Sequence, residues 1–155
     1  EEAGYCLTTS SKRGPMRLIS VIFGAPSMQE RASQTREILA WGYANFETVN
    51  VQPANQEIAK SKVWFGTENE ASIGLAEKFN VTMPKGQANA IKTQISVQPN
   101  LNAPLQKGQV VGKLTATLDG KVIAEKPLVA LQAVEEAGFF SRMIDHVKQF
   151  FSNLF

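Results

Sequence analysis

Lys92-Thr93-Gln94 stops one residue short of a catalytic triplet, K-T-G. In that triplet the glycine lets a substrate backbone come close, and Gln94 puts a long side chain in the same place. The chemistry that goes with K-T-G also needs a serine with a lysine three residues on, S-x-x-K, and an S-x-N turn. No serine in the chain meets the first requirement. Ser10 is followed at that distance by Arg13, Ser11 by Gly14, Ser27 by Glu30 and Ser61 by Trp64. S-x-N does not occur. Other nucleophile chemistry fares no better. His146 is the only histidine, so a Ser-His-Asp arrangement would have to use it. It falls on the polar side of a terminal helical stretch and reads as a solvated residue. Cys6 is the only cysteine and reads as a small core residue of a strand.

The remaining chemistries are excluded by residue type. A single cysteine makes no internal disulfide, and there is no Cys/His cluster, so no metal site is expected. No GxGxxG or P-loop is present to cradle a phosphate. Glu135-Glu136 could be drawn as a glycosidase dyad, but adjacent acids at a helix start read as solvated charges. A net charge of +2, with no basic stripe interleaved with aromatics, argues against nucleic acid as a partner. The expectation is a chain with no catalytic residue, no metal and no cofactor of its own.

The elements around these residues are legible. "GYCLTTSS" and "MRLISVIFGA" read as two strands separated by Lys12-Arg13-Gly14-Pro15, which is turn chemistry. The apolar run Leu18–Phe23 suggests a central strand covered on both faces. Ser27 with Glu30 has capping-box spacing and starts a helix to about Phe46, with Ile38, Leu39, Gly42 and Phe46 on one face. Asn50–Ala54, which holds Pro53, reads as a linker. Short strands follow at Glu57–Phe65, Ala71–Leu75, Phe79–Met83, Ile91–Val97, Gln109–Leu118 and Val122–Gln132. Val110, Gly112, Leu114, Ala116 and Leu118 alternate with Val111, Lys113, Thr115 and Thr117, a strand period. Asp119-Gly120 is a two-residue hairpin signal. Strands at this spacing predict a small antiparallel sandwich or barrel.

The last stretch, "FFSRMIDHVKQFFSNLF", holds five of the nine phenylalanines. Wound at roughly 100° per residue, it separates completely into two faces. Phe139, Phe140, Met143, Ile144, Val147, Phe150, Phe151, Leu154 and Phe155 form the apolar one. Such a helix is half polar and lies in a membrane interface rather than crossing it. Those nine residues are the expected membrane-binding set. The other reading docks the helix on the β domain or on another protein. The chain opens on Glu1-Glu2-Ala3-Gly4 with no initiator Met or signal peptide, and is expected to be a processed form or a fragment.

"AGYCLTTSS…MRLISVIFGA", "ILAWGYANFETV", "VWFG", "APLQKGQVVG", "LDGK", "KPLVAL" and the amphipathic tail occur in that order. The ordered set resembles the C-terminal part of D-alanyl-D-alanine carboxypeptidases of the low-molecular-mass penicillin-binding protein 5 and 6 type, over essentially the whole chain. The resemblance implies a mixed fold with three parts. Residues 1–49 would be a β-β-α remnant of a penicilloyl-serine-transferase (β-lactamase-like) catalytic sheet. Residues 50–134 would be a small antiparallel β-sandwich, a stalk or a docking surface. Residues 135–155 would be the amphipathic anchor. In that family the K-T-G strand ends just before a segment like Ala3-Gly4-Tyr5, where Cys6 replaces the usual Asn, so S-x-x-K, S-x-N and K-T-G would lie upstream.

The implied function is that of a serine-type carboxypeptidase that trims the terminal D-Ala from peptidoglycan pentapeptide stems, peripheral to the periplasmic face of the bacterial inner membrane. Its partners would be the membrane surface, peptidoglycan peptide and β-lactams. This chain would supply scaffold, β domain and anchor, and be inactive alone. Residues 1–49 would then leave sheet edges and an apolar run uncovered. Two other readings stand beside it. One is a non-enzymatic, membrane-attached β-sandwich binding module. The other is a self-contained hydrolase with an unrecognised site.

Overall fold

The computed structural model describes residues 4–139. These are mostly β-sheet, with one α-helix. Packing separates two units. One holds the residues up to Val49 together with Asn80–Ala90, and the other holds Asn50–Phe79 together with the residues from Ile91 on.

In the first unit, β1 (Tyr5–Arg13) and β2 (Met16–Ala25) form an antiparallel hairpin. The expected turn is there, with Gly14 at a φ of +56° that suits glycine. Helix α1 (Met28–Asn45) follows. Ser27 caps it, its Oγ accepting the Glu30 N–H at 3.1 Å. The helix lies close on the hairpin because Gly42 has no side chain; a Cβ there would stand 2.7 Å from Leu18 Cδ1. Polar ties fix it along β1. Tyr43 donates to Ser11 Oγ at 3.0 Å, and Arg31 donates to the Cys6 carbonyl at 3.0 Å. The Arg13 guanidinium sits 4.2 Å from the Tyr43 ring centroid. Thr35 and Gly42 mark the buried line of the helix. Ile38, expected on that line, is 48% exposed, whereas Thr35 and Gly42 are buried.

The helix runs straight into β3 (Phe46–Gln52), which pairs with β6 (Phe79–Pro84). Asn50–Gln52 is therefore strand, not the expected linker. The partner strand supplies a ladder that the local pattern does not reveal. Within the first unit, the Thr48 and Thr82 hydroxyls share a hydrogen bond of 2.7 Å, and Glu47 Oε1 accepts the Gly86 N–H at 2.8 Å.

The second unit is built on one sheet. Its strands are β4 (Glu57–Trp64), β5 (Glu70–Gly74), β7 (Lys92–Val97), β8 (Leu101–Asn102), β9 (Val110–Leu118) and β10 (Lys121–Ala130), in the order β7-β9-β10-β5-β4-β8. Neighbours are antiparallel, as the strand spacing predicts, except β4 and β8, which are parallel. Asp119 and Gly120, with φ of +50° and +76°, make the hairpin turn between β9 and β10. The core is apolar: Val63, Ile73, Val111, Leu114, Leu128 and Val134 are all but sealed from water. Leu128, Val129 and Ala130 are buried in succession, so both faces of β10 are covered at that end.

The period-two reading of β9 holds from Leu114 to Ala116 and fails at its start. Val111 is buried and Val110 is 54% exposed. A register shift opposite Leu128 and Val129 inserts a residue and reverses the alternation. On the same pair of strands, Lys113 Nζ and Thr115 Oγ1 donate to Glu125 Oε1 at 2.9 and 3.1 Å. Those two bonds, the lysine's first, hold the Glu125 carboxyl below its ordinary range. Beyond β10, Thr67 N–H donates to the Glu135 carbonyl at 2.8 Å and Glu136 bridges Gly66, so these acids sit on extended backbone.

Gly74 offers a sharp test of packing in this sheet. A Cβ there would run into the Gln56 carbonyl oxygen and stand 3.0 Å from Leu131 Cδ1. Gly74→Ala is expected to lower stability by about 2 kcal/mol in urea unfolding. An unchanged midpoint would show that the strand pair is looser than described.

Candidate functional site

In an antiparallel pair, residues directly opposite point to the same side. Leu7, Thr9 and Ser11 stand opposite Ile22, Ser20 and Leu18, and this side meets α1. Thr8, Ser10 and Lys12 stand opposite Val21, Ile19 and Arg17 and share the other side. There Ile19 is 69% exposed, Phe23 77% and Val21 46%. The apolar run was expected to be covered on both faces. In this structure α1 packs on one face, and Ile19, Val21 and Phe23 on the other stand exposed. Three large apolar side chains in a row on an open sheet face mark an interaction surface.

A second apolar feature borders the same strand, β2, and takes in Ile19 as well. Leu18, Ser20, Ile38, Trp41, Phe46 and Thr82 line an open cleft of about 240 Å³. Trp41 meets Phe46 edge to face, with ring centroids 5.8 Å apart. Ile38 and Trp41 are both exposed, and they form an apolar strip along α1 that lies off its buried line. The sequence carries a signal for this strip, since the two residues are three apart on a helix.

Neither surface has the makings of a reaction centre. Ser20 Oγ borders the cleft, buried and without a hydrogen-bond partner, so no base activates it. Among the described residues no group of three His, Cys, Asp or Glu is placed to hold a metal ion. Lys92-Thr93-Gln94 lies on β7 in the other unit, exposed throughout. Cys6, expected as a core residue, is exposed. The register slips between Tyr5 and Leu7, and the side of the hairpin beyond it carries no cover. Of the nine expected membrane-binding residues, Phe139 is described and 69% exposed. Phe140, Met143, Ile144, Val147, Phe150, Phe151, Leu154 and Phe155 lie outside the described residues, as does His146. No helix among the described residues is long and apolar enough to cross a membrane.

The open face makes a prediction about the isolated chain. Phe23→Ser should change unfolding stability by less than about 0.5 kcal/mol, since the ring makes little buried contact. It should also reduce the fluorescence of an apolar dye bound to the protein. A large loss of stability would mean that the ring is covered.

Comparison with known proteins gives this geometry a context. A family model described as the penicillin-binding protein 5, C-terminal domain, matches residues 46–136, which take in β3 through β10. D-alanyl-D-alanine carboxypeptidase DacA of Escherichia coli K12 is 40% identical over 156 residues, covering 100% of this chain and 39% of that protein. DacC of the same organism is 41% identical over 154 residues, covering 99% of this chain and 38% of the relative. The chain thus spans about two fifths of the length of these relatives. The crystal structure of penicillin-binding protein 5 from Haemophilus influenzae superposes with a TM-score of 0.78 at 39% identity, covering 87% of this chain and 40% of that one. The span matched by the domain model is more than half of the chain. The chain therefore belongs to the penicillin-binding protein 5 C-terminal domain family.

Proposed function

We propose that this chain is the C-terminal part of a serine-type D-Ala-D-Ala carboxypeptidase, the enzyme that removes the terminal D-Ala from peptidoglycan pentapeptide stems through an acyl-serine intermediate. The observation that carries the reading is the alignment of the whole chain, at 40% identity, with a protein named for that activity. The open hairpin face supports it. A face bearing Ile19, Val21 and Phe23 suits the end of a larger sheet, to which further strands and helices are added. Residues 1–49 are then the end of the penicilloyl-serine-transferase domain, residues 50–134 the β-rich C-terminal domain, and residues 135–155 the anchor. The nucleophile, its lysine and the K-T-G strand belong upstream. Peptidoglycan peptide and β-lactams are partners of the whole enzyme.

The anchor reading rests on the sequence. Nine apolar residues fall on one helical face, with Arg142 and Lys148 set against Asp145 on the other. Attachment is then mainly apolar, on the periplasmic face of the bacterial inner membrane, and owes little to anionic lipid.

Two experiments test these proposals. Labelled penicillin applied to the product of the whole gene, and mapped by mass spectrometry, should mark a serine outside residues 1–155. Label on a serine within the chain would overturn the assignment and favour a self-contained hydrolase. Residues 1–155 should float with neutral phosphatidylcholine vesicles, and the binding should survive high salt. Phe150→Ser together with Phe151→Ser should weaken it at least about tenfold, as two buried aromatic side chains are lost. Binding that depends on anionic lipid and disappears in salt would contradict the apolar mode.

A further inference from the structure

Every open sheet has two edges, and proteins protect them by making them short, bulged, charged or proline-bearing. The six-stranded sheet protects one. Its edge strand β8 has two residues, and Pro99 and Pro104 stand close on either side of it. The other edge, β7, runs for six residues in unbroken register with β9, from Lys92 opposite Thr117 to Val97 opposite Gly112. It contains no proline and no bulge, and its only charge is Lys92 at the start. Among the described residues no strand pairs with its outer side.

The backbone alternation of β7 can be read from one bond. Gln98 N–H donates to the Val111 carbonyl at 2.8 Å, so Gln98 is a hydrogen-bonded partner of β9. Alternation then turns Gln94 and Ser96 toward β9, and Thr93, Ile95 and Val97 outward. The outward set is symmetric about Ile95. Its side chain lies on the same face as the buried Leu114, its partner on β9, and is still 42% exposed.

We propose that two copies of this chain pair antiparallel through β7, with the two-fold axis at Ile95, joining their six-stranded sheets into one. In this register Ile95 meets Ile95 of the second copy. Thr93 meets Val97 in both directions, and every outward residue of β7 exchanges both backbone bonds, about six in all. Charge fits the arrangement. Each Lys92 falls opposite Gln98 and away from its own counterpart, and Gln94 falls opposite Ser96. The ladder ends where Pro99 has no N–H to give. A slip that centres the pair on Gln94 would leave Val97 without a partner inside β7. A second copy matches this edge because it brings the same apolar centre and polar flanks, as an isologous interface requires.

The test uses residues 1–155 in a non-ionic detergent, in a Cys6→Ser background. Ile95→Cys should cross-link into a disulfide dimer under mild oxidation, since a hydrogen-bonded pair sets Cα atoms about 5.5 Å apart, within disulfide reach. Lys107→Cys, on an exposed turn, should not. Sedimentation should show a concentration-dependent dimer, which Ile95→Lys weakens by about tenfold or more through two like charges placed directly opposite. Ile95→Pro removes only an outward N–H and should act the same way. Circular dichroism and thermal unfolding check that both variants keep the fold. A monomer at every concentration overturns the proposal, even one that captures a free extended peptide. So does a dimer indifferent to both substitutions, or equal cross-linking at positions 95 and 107.

Discussion

An apolar sheet face in water has to be covered, and the β1–β2 hairpin covers one of its two. The covered side shows what that takes. Gly42 has no side chain, so α1 comes down on Leu18, and the Tyr43 hydroxyl and the Arg31 guanidinium pin the helix along β1. The other side presents Ile19, Val21 and Phe23 to solvent. Burying a side chain of that kind contributes about 1.5–3 kcal/mol, so three in a row form a surface with a strong tendency to find a partner. The proposed place of this hairpin, at the end of a catalytic sheet, supplies that partner from the same protein.

The second unit is organised differently, since its core closes on itself. β10 is flanked by β9 and β5 and buries Leu128, Val129 and Ala130 in succession, and Ile73, Val111 and Leu114 complete the packing. Nothing in this sheet gathers acids, bases and nucleophiles into a centre. Glu125, held below its ordinary range by Lys113 and Thr115, is a surface group bonded within its own sheet. What the unit presents is the surface of a closed apolar core. Its exposed feature of most consequence is an edge: β7 is regular where other strand pairs in the sheet carry register shifts.

Much of this was legible residue by residue. Ser27 with Glu30 marked the helix start, Gly14 and Asp119-Gly120 marked two turns, and eight of the strands fell within two residues of where the pattern put them. The misses have local causes. Phe46 looked like a helix end and Asn50–Ala54 like a linker, because the strand character of Phe46–Gln52 depends on a distant partner, β6, whose Thr82 meets Thr48. β8 is too short to show a period. The exposure of Val110 follows from a bulge on its pairing with β10, which one strand read alone does not show. Cys6 reads as buried by residue type, yet the register slip beside it and the uncovered side decide its exposure. That S-x-x-K, S-x-N and K-T-G do not occur is a property of the sequence itself and needs no fold to be noticed. The open face was foreseen through the family resemblance, whereas the apolar run alone pointed to a strand covered on both sides. The β7 edge was not seen, because an edge is a property of strand order.

On the proposed reading, this chain completes a catalytic sheet begun elsewhere in the same polypeptide. The most direct measurement is the sequence of the coding DNA immediately upstream of the Glu1 codon. An open frame that ends in Lys-Thr-Gly, with S-x-x-K and S-x-N further back, is the predicted result. A start codon or a secretion signal directly before Glu1 would contradict it and leave the hairpin face to be covered by another molecule.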